Sequence, residues 1–456
     1  MSQKKIKILC LLLIGVFLIT SGFGCKSPTG ELKEYLKPIT LEYWRVWDDD
    51  DAFEEIITAY KLIHPNVTIN YRKFRYEEYE QALLEAWAED RGPDIFSIHE
   101  GWLRKYQTKI EPMPAETKMA VQYTKSGIKK EIAYKLETRP TPTHREIKEI
   151  FADTVYNDIV IDGRVYGFPL SLETLIMFYN RDLLNQAGIS QAPTDWNTFV
   201  EAVQKITRYN SQGNVARAGA AMGTGSNTNN SFDILSILMM QSGATMTNSR
   251  GYASFTSVDK GSDYNPGQKA IEFYTDFATP TQSSYTWDLT MDNSFASFLS
   301  GQVGMMFNYN HNLSSIRAQA PRLNLGIAPI PQVKPDSPVN YGSYWLETVS
   351  KKSAHTNQAW DFILYATKEA NVKSYLDKTK SPTALKSLVN SQLEDEDLYA
   401  AATQILTASN WYIGKNQPAT EEAFKEMIDT YLEATIDKEK EGIVNRAISK
   451  INQTVD

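Results

Sequence analysis

The chain has 456 residues, 42% of them apolar and 22% charged, and a formal charge of -8. Such a length exceeds a single hydrophobic core, so two domains are expected, and the composition excludes a disordered chain. The negative balance, with no basic stretch interleaved with aromatics, argues against a nucleic-acid partner.

Lys4, Lys5 and Lys7 precede an apolar run over 8–19, and Ser21-Gly22-Phe23-Gly24 supplies small residues for cleavage. The run is shorter than the roughly 20 residues of a membrane span, so 1–24 reads as a signal peptide and the protein as exported. Cys25, directly after Gly24, resembles the bacterial lipoprotein box, in which the Cys receives a lipid and becomes the new N-terminus; position 22 is Gly where that box usually has Leu. Lipidation is therefore expected at Cys25, with 25–38 as a tether to the fold. Cys10 and Cys25 are the only cysteines, so none remains for a disulfide or thiolate site. The five His (64, 99, 144, 311, 355) are scattered, and neither a metal nor a cofactor is expected.

Residues 41–47 read as a strand, and the acidic stretch 48–51 leads into a helix with Phe53, Ile56, Ile57 and Tyr60 on one face. His64-Pro65-Asn66 stops it, and 67–71 is the next strand, which makes a right-handed β-α-β unit with parallel strands. A second helix carries Tyr79, Leu83, Leu84 and Trp87 and turns through Arg91-Gly92-Pro93-Asp94 into a strand at 95–98. This is the start of a doubly wound sheet, whose ligands bind beyond the carboxyl ends of its strands. Trp44, Trp47 and Asp48 fall there, as do His99, Glu100 and Trp102. The acidic run has a second reading as a helix cap, and Trp102 as a ring packed on its own lobe.

Residues 113–149 are polar and rich in Lys, Pro and Thr, with helix-like pieces near 128–136 and 145–151; they read as an inserted surface excursion. "DGRVYGFPLSLETLIMFYNRD", 162–182, then places two strand-like runs, 165–170 and 175–179, around Ser171-Leu172-Glu173-Thr174. The join has a carboxylate and no hairpin Gly or Asn. If the two runs belong to different sheets, 171–174 is a crossover between lobes and Glu173 faces the groove between them, a common ligand site.

A short helix over 181–187 follows, then a long one capped by Pro193-Thr194-Asp195 with Trp196, Phe199, Val200, Val203 and Ile206 inward. A strand over 216–222 ends at Met222 before the polar loop 223–230 and an apolar, buried helix at 231–241. Helices open at Pro266 and Asp292. A buried strand at 303–307 runs into Asn308, Tyr309 and His311, and another lies at 325–328. Residues 340–349 cross from loop to strand and hold Tyr344 and Trp345; a helix spans 356–366, and the remainder is helical with Trp411 in a polar turn. No internal repeat is present.

These segments resemble the bacterial extracellular solute-binding proteins of the maltose-binding type, over about 39–451. The most specific are "GRVYGFPLSLETLIMFYNRDLLNQAGI" followed by "PTDWNTFVEAVQKI"; "SFASFLSGQVGMMFNYN", "LGIAPIP", "TNQAWDFILYAT" and "SNWY" resemble later blocks. The resemblance implies a two-lobed α/β periplasmic-binding-protein fold of type II with three crossover segments, near 171–174, 342–345 and 381–385. It implies lobes at 39–171 with 346–380, carrying the insertion at about 113–149, and at 172–345 with 381–456. It implies a sugar-sized ligand held between lobes that close by hinge bending, delivery to the permease subunits of an ABC importer, a monomer, and no catalysis. By the motif matches Glu173 contacts ligand, Trp411 stacks on it, and Trp44–Asp48, His99–Trp102, Asn308–His311 and the Tyr344–Trp345 loop line the pocket; Met222 joins the candidates. The excursion is longer than is usual in the family, and His311 stands near where sugar binders often have Trp.

Aromatic rings supply flat apolar area for the C–H face of a pyranose, and carboxylates and amides serve its hydroxyl rim. Two other readings share the groove. Asp48, Glu100 and Glu173 would suit a glycoside hydrolase's acid and nucleophile, and the acidic loops would suit a peptide or polyamine cargo.

Overall fold

The computed structural model describes residues 30–126, 130–258 and 260–455. The expected leader and Cys25 lie outside them. Part of the expected tether is folded: Glu31–Tyr35 is a short helix, Glu31 pairs with Lys118, and Asn66 Nδ2 donates to the Tyr35 carbonyl at 2.9 Å.

Two sheets divide the chain. In the first, Val67–Phe74, Ile39–Val46, Ile95–His99, Trp345–Ser350 and Ile110–Glu111 lie side by side, and Phe168–Pro169 also pairs with Trp345–Ser350. The first three are parallel, as the β-α-β reading requires, and Trp345–Ser350 returns antiparallel with Trp345 opposite His99. The helix Asp51–Ile63 buries Phe53, Ile56 and Tyr60 on this sheet. Ile57 is half-buried and Leu84, on Tyr76–Ala88, is 42% exposed, so the apolar stripes are narrower than their sequences suggest.

The second sheet runs Arg208–Tyr209, Val215–Ala220, Val303–Asn308, Ile176–Asn180, Leu325–Pro329. Its helix Trp196–Ile206 is capped by Asp195, whose carboxylate accepts from the N–H groups of Asn197 and Thr198 at 2.9 and 3.0 Å. That helix sits close on the sheet because Gly219 has no side chain: a Cβ there would lie 2.5 Å from the Val203 carbonyl oxygen. The helix Ser231–Gln241 is buried almost all round, as its apolar sequence predicts.

The runs on either side of 171–174 therefore do not pair with each other: Phe168–Pro169 belongs to the first sheet and Ile176–Asn180 to the second. A third, small sheet links the two. Glu173–Thr174 pairs with Asn340–Ser343, which pairs with Ala408–Ser409, and Ser171 bridges to Thr383. The three crossover segments are thus tied together side by side.

The excursion corrects one expectation. Residues 128–136 are not helical in their described part: Glu116–Lys125 and Glu131–Pro140 form a ten-residue antiparallel hairpin. Ile128, Ile132 and Leu136 recur at helical spacing, but Ile132, Tyr134 and Leu136 also alternate, and pairing along the whole facing strand decides for the second period. The helix His144–Ile150 forms as expected, with a Thr143–Glu146 capping box.

Candidate ligand-binding cleft

A cleft of about 660 Å3 opens where the crossover segments meet the two sheets, within the size range of small-ligand sites. From the first sheet it is lined by Trp47, Asp48, His99 and Trp345, from the loop after a second-sheet strand by Tyr309 and His311, and from the crossovers by Glu173 and Tyr344. Trp44, Glu100, Trp102, Met222, Asn308 and Trp411 do not line it.

Trp47 is the most exposed of the Trp and Tyr candidates, at 57%. Its φ of 75° places a non-glycine residue in the left-handed region, a conformation that costs about 1–2 kcal/mol and recurs at functional sites. The tight turn, closed by Asp48 N–H to the Val46 carbonyl at 3.0 Å, throws the indole off the strand end. It stacks on Tyr76, with ring centroids 5.4 Å apart and 16° between planes. Behind them Trp102 stacks on Tyr76 at 6.2 Å and meets Trp345 edge-on at 5.6 Å. Trp102 is therefore the packed support of an aromatic platform, not its face.

Asp48 does not cap the following helix. Its Oδ2 accepts from the Tyr375 hydroxyl at 3.0 Å and lies 3.1 Å from Arg45 Nη1. Arg45 is buried; its Nε lies 3.2 Å from Glu347 Oε1, and Tyr43 and Ser97 hydroxyls both donate to Glu347 Oε2 at 2.7 Å. This buried charge network fixes Asp48 at the cleft edge, although Arg45 Nη1 and Glu347 Oε1 meet their partners as ion pairs without hydrogen-bond geometry. Trp44 points the other way, into the core, with its ring 4.7 Å from Phe74.

His99 Nε2 lies 2.9 Å from Glu100 Oε2 and 3.0 Å from Ser343 Oγ, and Nδ1 lies 3.1 Å from Gln417 Oε1. Burial pulls the imidazole pKa down, but the Glu100 carboxylate outweighs it and the net direction is up. The Glu100 side chain, 6% exposed, sits against His99 and faces a small hollow shared with Asp158 and Asn410. It is a partner of the cleft's histidine and does not line the cleft with Asp48 and Glu173. Tyr344 donates to Asp158 at 2.5 Å, and burial pushes Asp158 up to about 7.

On the other wall Glu173, 14% exposed, accepts the backbone N–H of Asn310 at 2.9 Å through Oε2. Burial pushes its carboxyl up to about 8 against the opposing pull of the Asn310 and His311 backbone donors. Asn308 is buried, its Oδ1 accepting from Asn230 Nδ2 at 3.0 Å and Asn312 Nδ2 at 2.9 Å; it shapes the loop that presents Tyr309 and His311. Tyr309 stacks on His311 at 6.0 Å and donates to Asp233 Oδ2 at 2.8 Å.

Met222 is wholly inside the second core. Trp411, 6% exposed, donates from Nε1 to Ser236 Oγ at 2.9 Å and packs among Phe232, Phe255 and Phe424. The family resemblance implies a stacking ring; Phe232 and Phe255 from distant segments and Phe424 from the next helix cover it instead. Phe232, which does line the cleft, stands in front.

Several lining residues escaped the sequence reading. Tyr76 opens a helix directly after a first-sheet strand, and Asp233 lies in the first turn after the loop 223–230, so the carboxyl-end rule that found Trp47 would have reached both. Tyr341 and Tyr375 line it too. Gln417, Glu421 and Lys425 share one face of Gln417–Glu433; nothing local says that this helix reaches the cleft.

A sequence model of the family described as bacterial extracellular solute-binding protein matches residues 55–407. A binding protein of Brucella abortus (strain 2308) is 24% identical over 319 residues, 68% of this chain and 67% of the relative. The maltodextrin-binding protein MdxE of Bacillus subtilis (strain 168) is 24% identical over 275 residues, 58% of this chain and 60% of the relative. Among solved structures, a cyclo/maltodextrin-binding protein complexed with maltotetraose superposes with a TM-score of 0.70 at 14% identity, covering 94% of this chain and 99% of that one. This likeness gives the fold: two α/β lobes around a cleft.

Proposed function

The chain belongs to the bacterial extracellular solute-binding proteins, and from that membership we propose that it holds a saccharide in the cleft and passes it, unaltered, to the permease of an ABC importer. The observation that carries this reading is the Trp47–Tyr76 platform opposite Glu173 and Tyr309: a flat apolar face across from hydrogen-bonding groups. That pairing matches the C–H face and hydroxyl rim of a pyranose. The maltodextrin named for two of the similar proteins supports the same class.

The lobes in this reading are 39–171 with 346–380 and 172–345 with 381–456, hinging on the small three-stranded sheet. Export with a lipid on Cys25, and action as a monomer, complete it. No helix among the described residues is long and apolar enough to cross a membrane.

Glu173 gives the first test. Its carboxyl is held near 8, against about 4.3 in an unfolded chain. The folded protein therefore keeps a proton that the unfolded chain has released, and stability falls as pH rises from about 4 toward about 8, then levels. Glu173→Gln removes this share and flattens a plot of melting temperature against pH. For binding, Glu173→Gln is nearly neutral at about pH 6, where both side chains are uncharged. At about pH 9 it weakens binding about tenfold, because a charge-assisted bond becomes a neutral one. Titration calorimetry at both pH values measures this, and equal affinities at both would remove Glu173 from the site.

A further inference from the structure

The charged groups of the cleft do not balance. Four carboxylates line it, Asp48, Glu173, Asp233 and Glu421, beside three basic side chains other than His311: Arg45, His99 and Lys425. Arg45 and His99 are already engaged, and Lys425 lies beside Glu421 without an ion pair to it within 4 Å. Arg45 lies between Asp48 and Glu347, and His99 rests on Glu100. Lys425 stands one helical turn from Glu421, where it and His99 offset that carboxylate. His311 Nδ1 is 3.9 Å from Glu173 Oε1. Although 62% of its side chain meets solvent, the cleft walls crowd the ring and hold its pKa down, so it brings no charge at neutral pH.

Glu173 and Asp233 remain without a cation. Their hydrogen-bond donors are neutral: the Asn310 backbone N–H for Glu173 and the Tyr309 phenol for Asp233. The two carboxyls thus flank the segment 309–311 on one wall, opposite the aromatic platform. The N-terminus of Ser231–Gln241 beneath Asp233 contributes a partial positive charge, less than a full cation. The surroundings of Asp233 are negative overall: burial first, then the Glu421 and Glu100 carboxylates, raise it to about 8 against the pull of Tyr309 and His99.

We infer that the cleft, with two cation-free carboxyls flanking residues 309–311, prefers saccharides bearing a basic amine over neutral ones and rejects those bearing carboxylates. The inference rests on the saccharide reading above. At neutral pH the empty cleft keeps a proton on both carboxyls; an ammonium group on the sugar rim would displace it and pair with the carboxylates, in hydrogen bonds roughly twice as strong as neutral ones. A uronate gains no such pairing, and as pH approaches 8 and the two carboxyls ionise it sets like charges face to face in a poorly solvated space.

The test is titration calorimetry of the full mature chain with four trisaccharides: the glucosamine trimer, its tri-N-acetylated form, maltotriose and trigalacturonate. The glucosamine trimer is expected to bind about tenfold or more tighter than the better of the two neutral trimers, with trigalacturonate the weakest. The double variant Glu173→Gln, Asp233→Asn is expected to bring the amine-to-neutral affinity ratio close to one. A merely structural role for the two carboxyls would weaken all the trimers alike and leave the ratio, and overturns the proposal. Equal or weaker binding of the amine trimer than of a neutral one overturns the charge preference and leaves the saccharide reading intact. Tighter binding of spermidine than of every trimer, or binding of none of the four, overturns both.

Discussion

Trp47→Gly is expected to remove most of the ligand affinity and to leave the fold as stable as before. The indole is 57% exposed and stacks on Tyr76 alone, so its loss opens no cavity. Its backbone, at φ 75°, already has the conformation that glycine adopts without strain. Relief of that strain, about 1 kcal/mol or slightly more, offsets the greater freedom of glycine in the unfolded chain, about 0.5–1 kcal/mol. The melting temperature is then expected to move by no more than about 2 °C. Binding loses the exposed ring of the platform. An aromatic anchor at the centre of a site is worth on the order of 2 kcal/mol or more, about thirtyfold in affinity. Calorimetry and a thermal melt on one preparation check both halves. Affinity unchanged would remove the platform from the ligand's path, and a large drop in melting temperature would make Trp47 a packing residue.

Trp411→Ala is expected to do the reverse. The ring sits among Phe232, Phe255 and Phe424, and its N–H satisfies a fully buried Ser236 hydroxyl. Emptying such a site costs about 3–5 kcal/mol, and the stranded hydroxyl adds about 1 kcal/mol more. The melting temperature of the second lobe should fall on the order of 10 °C. Trp411→Phe keeps most of the packing and should recover more than half of that fall. Ligand affinity drops only as far as Phe232 loses its support. A variant with a normal melting temperature and no binding would instead make Trp411 the stacking ring that the family resemblance implies.

These two tryptophans show what the sequence could and could not carry. Strand and helix positions follow from hydrophobic period and turn residues, which are local, whereas the crossovers at 342–345 and 381–385 come only from the family resemblance. The join at 171–174 was legible because a carboxylate between two buried runs has no place in one sheet. The carboxyl-end loops were legible for the same topological reason, and Trp47, Asp48, His99 and Trp345 lie in the cleft. The facing of single rings within those loops was not. Trp47 leaves the strand through a left-handed backbone that no glycine announces, while Trp44, three residues earlier, turns to the core. Trp411 lies in a polar turn, but its cover comes from residues more than a hundred positions away as well as from the helix that follows. Glu421 and Lys425 reach the cleft only through the packing of a late helix. The hairpin at 116–140 misled because its apolar residues satisfy two periods at once.

In the proposed function, two separately packed sheets grip a small saccharide between them and release it intact. Calorimetric titration of the mature chain with an oligosaccharide panel, followed by chromatography of the recovered sugar, tests it most directly. The predicted result is one-to-one binding of at least one member near about 1 μM, equivalent to about -8 kcal/mol, with the sugar recovered unchanged. Binding of no saccharide, or recovery of cleaved products, would contradict it.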